Sequence, residues 1–452
     1  MKTKQQRLVL PVSILASFVA FLDGSVVNVA LPAISRELGG GLLVQQWVVD
    51  AYLITLGTLI LIAGSLSDLF GRKHILRAGL VGFGVASVLC AVAPSGVFLI
   101  LARALQGMAG ALLVPSSLAL IISSYKGVKQ SKAIGTWTAW TGISFIIGPL
   151  VGGFLVDVSS WRWVFAINVL PIAATLGLLT RLELPELVRE SARIDQAGAI
   201  WCAIGLGGPV FALIEQPKYG WSTPRIWLPL VVGLLSLVAF VWHERRTAKP
   251  MLPLSLFRVR NFSFGNAATA AIYAGLTASS FVITIFLQQV SGYTAFNAGL
   301  ALLPITIVMF FLSPRFGALA GQYGSRIFMT AGPIVAAAGF LLMLRMQTRV
   351  DYWTALLPGV LAFAIGLSMT VAPLTSAVLG DIDEQHAGVA SAVNNAVSRV
   401  AGLLAIALMG VIAGVRLNVT VFHRSLVVIA TLMVLGAVIS FVGIRRTAKT
   451  AI

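Results

Sequence analysis

Four charged residues lie within long apolar runs of the sequence, two acidic and two basic: Asp23, Asp50, Arg103 and Arg399. A charge at that depth is costly unless it is paired or faces water, so each is a candidate for work rather than solubility. A carboxylate there can exchange a proton for a cation, and a guanidinium can hold that carboxylate or bind an anionic group. Elimination points to the same acids. Of the 15 acidic residues, ten fall in loops, Asp157 and Glu215 fall at predicted helix ends, and Asp68 sits in a charged turn. At a rise of about 1.5 Å per residue, Asp23 is expected roughly 10 Å below the outer end of its helix, Arg103 roughly 9 Å and Asp50 about 5 Å. Asp23 is expected to face a central cavity, paired with Arg103 or a cationic substrate when ionised and released when protonated. The alternative is a fixed structural ion pair. Asp50, nearer the surface, is either a second proton or cation site or a solvated helix end. Arg399 either anchors Asn394 and Asn395 or binds an anionic group.

The elements that position these residues are membrane helices. The chain has 452 residues, 58% hydrophobic and 10% charged, against about 25% charged in soluble domains. A soluble enzyme is excluded. The apolar runs predict spans at 8–30, 46–66, 74–94, 97–123, 133–156, 163–182, 197–214, 226–242, 264–288, 298–320, 327–345, 354–378, 388–414 and 424–443. These are about fourteen helices. The net charge of +17 would suggest a nucleic-acid partner in a soluble protein. Here the basic residues cluster in alternate short loops, which sets orientation with both termini cytoplasmic, and no nucleic acid is expected. The basic start followed by Leu8–Leu22 resembles a secretory signal, but the apolar run continues past Asp23 to Ala30 without a cleavage pattern and is expected to be retained. Cys90 and Cys202 lie in apolar runs without a CxxC or His partner nearby, so they are expected to pack, and no metal site is expected. No phosphate loop, dinucleotide fingerprint or zinc motif is present in the sequence. No enzyme and no cofactor is expected, and transport would draw on an ion gradient.

Gly64-Ser-Leu-Ser-Asp68-Leu-Phe-Gly71-Arg72-Lys73 and Gly317-Ala-Leu-Ala-Gly321-Gln-Tyr-Gly324-Ser325-Arg326 read as two copies of one loop, 253 positions apart. The chain then divides into a six-helix bundle over 1–182, an inserted hairpin with its flanking loops over 183–261, and a second six-helix bundle over 262–452. In the fifth span, small residues at Gly135, Ser144, Gly148, Gly152 and Gly153 admit a close neighbour, and Pro149 is expected to bend the helix into a hinge.

The first loop copy resembles the signature loop of the major facilitator superfamily, a conformational latch formed here by Gly64, Asp68, Gly71, Arg72 and Lys73. The second copy has Gly321 in place of Asp68, so only one latch is fully charged. Leu22-Asp23-Gly-Ser25-Val-Val-Asn28-Val-Ala-Leu-Pro32 resembles the first-helix motif of the fourteen-helix drug:proton antiporters, with Ser25 where Thr is usual. Arg103-Ala-Leu-Gln106-Gly107 is similar to the superfamily's embedded arginine motif. The fifth span resembles the antiporter motif, with Ser144 where glycine is expected. The segments Trp161-Arg-Trp-Val-Phe-Ala-Ile-Asn168 and Ala387 to Arg399 also resemble that family.

The resemblance implies an all-α integral membrane fold of two bundles plus a hairpin. It further implies a monomeric plasma-membrane antiporter that exports lipophilic, often cationic, compounds in exchange for protons. Two other readings stay open. One is an exporter of an anionic or zwitterionic metabolite, lipid or siderophore using Arg103 and Arg399; the other is a membrane assembly protein that does not transport.

Overall fold

In a bilayer, a long apolar segment satisfies its backbone within itself by forming a helix. The computed structural model describes residues 2–125, 128–182, 195–247, 250–382, 387–413 and 417–445, and its long elements are all helices. In chain order they are α1 (Lys2–Leu38), α2 (Gly41–Phe70), α3 (Arg72–Ala91), α4 (Gly96–Ser124), α5 (Val128–Val158), α6 (Trp163–Ala166), α7 (Val169–Thr180), α8 (Gln196–Tyr219) and α9 (Pro224–Arg246). Then follow α10 (Arg260–Gln289), α11 (Ala295–Tyr323), α12 (Ser325–Leu342), α13 (Leu357–Leu379), α14 (Ala387–Ala413) and α15 (Val419–Gly443). Among the described residues 13 segments are long and apolar enough to cross a membrane, with α6 and α7 forming one of them. α5, 31 residues long, adds a further helix of spanning length.

Local signals set the ends. Ser95 caps α4 by accepting from the Phe98 N–H, and Asn418 caps α15 by accepting from Val421. Between α1 and α2 the chain turns on Gly39 and Gly40, at φ +77° and +82°, which glycine adopts without strain. This turn is much tighter than the spans read from the sequence imply. α1 runs to Leu38 and α2 starts at Gly41, so Asp23 is about 22 Å and Asp50 about 14 Å from the outer end of its helix. Both are farther from their helix ends than the apolar runs implied.

The chain forms two compact units. The first contains residues 1–212, 227–251 and 294–296; the second contains 213–226, 252–293 and 297–452. The hairpin α8–α9 is therefore grouped mostly with the first unit, and its tip with the second. In the first unit α1 packs on α4, α5 and α7, and α3 packs on α4 and α7. In the second, α10 packs on α13, α14 and α15, and α12 packs on α13 and α15. Each contact of the first set has its counterpart in the second. The repeated loop agrees in backbone too: Gly71 (φ 87°, ψ 135°) and Gly324 (φ 89°, ψ 144°) precede α3 and α12 in the same glycine-favouring conformation.

α5 continues as helix through Pro149. Its small residues do what their spacing implies. Ser25 donates to the Leu22 carbonyl at 2.9 Å and to the Ser144 carbonyl at 3.0 Å, joining α1 to α5. A Cβ added at Gly148 would stand 1.9 Å from Ser25 Oγ and 3.2 Å from the Val26 nitrogen, and one at Gly152 would stand 2.4 Å from Val26 Cγ2. Gly153 faces the backbone of Ala295 and Phe296, which group with this unit. Gly148→Ala should therefore cost about 1–3 kcal/mol through overpacking. Thermal unfolding in detergent should show a lowered midpoint, with Gly177→Ala, whose added Cβ meets nothing within 4 Å, as the unaffected control.

Candidate functional site

One face of α4 carries Arg103, Gln106, Gly107 and Gly110 at helical spacing. Gly107 lets α2 come close: an added Cβ would stand 2.3 Å from the Tyr52 carbonyl oxygen and 2.2 Å from Thr55 Oγ1. Thr55 donates to the Ala104 carbonyl at 2.8 Å across the same contact. The approach encloses Arg103, which is 1% exposed. Its Nε donates to the Val48 carbonyl at 3.0 Å, and its guanidinium lies 4.2 Å from the Tyr52 ring centre and 5.7 Å from that of Phe165.

The remaining donors converge on Asp23. Arg103 Nη1 reaches Asp23 Oδ2 at 2.6 Å and also Gln106 Oε1 at 2.6 Å. Asp23 Oδ1 accepts from Gln106 Nε2 at 2.9 Å and from Asn168 Nδ2 at 2.9 Å. Gln106 also donates to Ser87 Oγ at 2.9 Å, and the Cys90 thiol lies 3.6 Å from Gln106 Oε1. Asp23, Gln106, Asn168 and Ser87 are all 0% exposed. An ionised carboxylate accepts at about four positions and donates at none. Three donors, one of them a cation, therefore suit the ionised form of Asp23. The network ties α1, α3, α4 and the α6–α7 junction into one polar centre.

The sequence brought Asp23 and Arg103 forward, and the structure places them in contact. Gln106 and Asn168 complete a shell around the ion pair. The sequence reading missed Asn168 and Ser87 as members. The signal for Asn168 was present, since an amide follows Val-Phe-Ala-Ile in a span that has no need of it. Asp50 stands apart: it is 0% exposed, and neither carboxylate oxygen has a hydrogen-bond partner. It is not the solvated helix end that its shallow expected position allowed.

Arg399 is partly buried on α14, within electrostatic range of Tyr273 on α10. Its expected associate Asn394 donates to Asn266 Oδ1 at 3.0 Å and Thr269 Oγ1 at 2.9 Å, joining α14 to α10. In the latch loop, Arg72 Nη1 donates to the Ala119 carbonyl near the end of α4 at 3.2 Å, and Lys73 Nζ donates to the Leu182 carbonyl just past α7 at 2.6 Å. Both cations thus lie near helix C-termini, where carbonyls and dipole favour them. The side chain of Asp68 and the surroundings of Gly64 and Gly135 lie outside the described residues. No group of three His, Cys, Asp or Glu residues suited to a metal occurs among the described residues.

The family model of the Major Facilitator Superfamily matches residues 13–406. The chain belongs to the major facilitator superfamily. It is accordingly a multi-pass membrane transporter and not an enzyme. The transporter is 32% identical to the multidrug resistance protein Stp of Mycobacterium tuberculosis over 92% of this chain and 78% of that one. It is 35% identical to the puromycin resistance protein pur8 of Streptomyces alboniger over 89% of this chain and 81% of the relative. It is 32% identical to the methylenomycin A resistance protein of Bacillus subtilis over 89% and 87% of the two chains. Among solved structures, the crystal structure of the peptide transporter POT in complex with sulfate matches with a TM-score of 0.69 at 14% identity, covering 97% of this chain and 93% of that one. At that identity the likeness concerns the fold alone.

The shell around Asp23 makes a direct prediction about the transporter. Asn168→Ala removes one donor from a buried carboxylate and should cost about 1–3 kcal/mol. Asn168→Asp, which places a second carboxylate against the first, should cost more. Chemical unfolding in detergent should rank the unmutated protein above Asn168→Ala, and that variant above Asn168→Asp.

Proposed function

We propose that the protein is a proton-coupled antiporter that exports lipophilic, often cationic, compounds by alternating access. It would sit in the plasma membrane as a monomer with both termini cytoplasmic, built of two six-helix bundles (1–182 and 262–452) that rock, with the inserted hairpin segment (183–261) between them in the chain. The observation that carries the reading is the buried Asp23–Arg103 pair at 2.6 Å. A charge pair at this depth is expensive to hold and strongly penalised when one partner is lost. Opening the site to water lowers that penalty, so a conformation that wets the centre lets Asp23 exchange Arg103 for a cationic substrate. Supporting this, the Stp and pur8 relatives are named for resistance to drugs. The latch cations Arg72 and Lys73 would release the helix ends they hold as the bundles change state, with Asp68 and the glycines Gly64 and Gly71 completing the latch. α5, with Gly135, Ser144, Gly148, Pro149, Gly152 and Gly153, would supply the sliding contact with α1.

An anionic substrate is less well served. Arg103 Nε and Nη1 already donate to the Val48 carbonyl, Asp23 and Gln106, so an anion would draw chiefly on Arg399.

The test uses purified protein in liposomes with an imposed pH gradient. Ethidium and tetraphenylphosphonium serve as permanent cations and fluorescein as an organic anion. The reading expects the cations to evoke proton movement and fluorescein to evoke none. Fluorescein-driven movement alone would transfer the function to the anionic class, and no movement with any probe would remove proton coupling.

A further inference from the structure

Of the two carboxylates expected to work within the spans, one is saturated with donors and the other has none. Asp50 is fully enclosed, and both of its oxygens lack a partner. On its own face of α2 the residues one turn away are Gln46, which is buried, and the apolar Trp47, Leu53 and Ile54. Tyr52 and Thr55, which turn towards α4, lie on another side of α2. Helix α8 of the hairpin touches α2 on both sides of Asp50 along the helix. Phe211 lies 5.9 Å from Trp47, one turn before Asp50, and Cys202 lies beside Thr58, two turns after it.

Glu244 of α9 lies within electrostatic range of Cys202, and the other charged and titratable groups on neighbouring elements lie on α1, α3, α4 and α8. Arg103 of α4 and Asp23 of α1 bind each other, and Cys90 of α3 lies against Gln106. Arg36 and Glu37 lie at the outer end of α1, while Arg72, Lys73, His74 and Arg77 lie at the inner end of α3. On α8, Cys202 lies at Thr58, and Glu215 and Lys218 lie in its last turns.

An ionised carboxylate without donors cannot persist in apolar surroundings; it takes up a proton and is buried neutral. We infer that Asp50 carries a proton in this conformation and is the proton-loading site of the exchange cycle, while Asp23 stays ionised against Arg103. The two carboxylates divide the work: Asp23 holds Arg103 here and a cationic substrate when the centre is wetted, and Asp50 holds the proton. The proton is gained from water and returned to water when α2 is wetted, so no other group changes protonation in the step. A lone carboxylate offers too few oxygens for a metal ion, which makes a proton the fitting ligand. The role in exchange rests on the proton-coupled reading; the protonation itself does not.

Infrared difference spectroscopy of the purified protein in detergent, unmutated minus Asp50→Asn, reads the protonation without any substrate. The expected result is a carbonyl-stretch band of a protonated carboxylic acid that persists at neutral pH and is absent from Asp50→Asn. Asparagine has the shape of the neutral acid, so this variant should fold. Should it fail to fold, Asp50→Glu replaces it, and the acid band should move rather than vanish. A difference spectrum carrying only ionised-carboxylate bands at neutral pH overturns the inference. In liposomes with ethidium, Asp50→Asn should then lose proton movement and keep ethidium binding. Full proton movement in Asp50→Asn overturns the exchange role of Asp50 and leaves the coupled reading intact. An acid band at Asp50 with no proton movement in the unmutated protein supports the protonated site and removes the coupled reading.

Discussion

The first unit is organised around a charge that cannot be left alone. Arg103 lies 1% exposed among apolar helices, and its neighbours answer its donors and its positive field. Asp23 supplies the countercharge, Gln106 and the Val48 carbonyl accept, and the Tyr52 ring lies under the guanidinium. Asn168 and Gln106 then satisfy the oxygens of Asp23. The geometry of α1, α2, α3, α4 and the α6–α7 junction follows from closing this shell. Glycine makes the closure possible, since Gly107 admits the α2 backbone to α4 at a distance no side chain would tolerate.

The two units repeat one packing scheme but not one chemistry. The pairs α1–α5 and α10–α14 correspond, and so do the glycine turns before α3 and α12. Yet the second unit joins α10 to α14 with amides and hydroxyls, Asn394 to Asn266 and Thr269, where the first unit joins α1 to α5 through the Ser25 hydroxyl and the Ser144 carbonyl and keeps its ion pair between α1 and α4. A neutral network breaks and reforms at modest cost, whereas a buried ion pair is all or none.

Much of this was legible in the sequence because depth and charge are both written in it. Asp23, Arg103 and the paired loops followed from which acids lie inside apolar runs and from a recurring Gly-x-Leu pattern. The number and order of the helices followed from hydropathy. What did not follow depends on helix ends. The Gly39–Gly40 turn brings α1 and α2 within two residues of each other, so Asp50 lies well inside α2 and fully enclosed rather than near its end. The enclosure of Asp23 was also hidden, since a one-dimensional reading cannot tell a carboxylate facing a cavity from one faced by Asn168.

The central claim is that Asp23 and Arg103 stabilise the unit as one object rather than as two residues. A double-mutant cycle on unfolding in detergent, with Asp23→Asn, Arg103→Met and the double variant, measures this directly. Each single change should cost about 3–5 kcal/mol because it strands the other partner. The double variant should cost well under the sum, giving an interaction energy of at least about 2 kcal/mol. Additive losses would contradict the account, because they would mean that neither charge depends on the other.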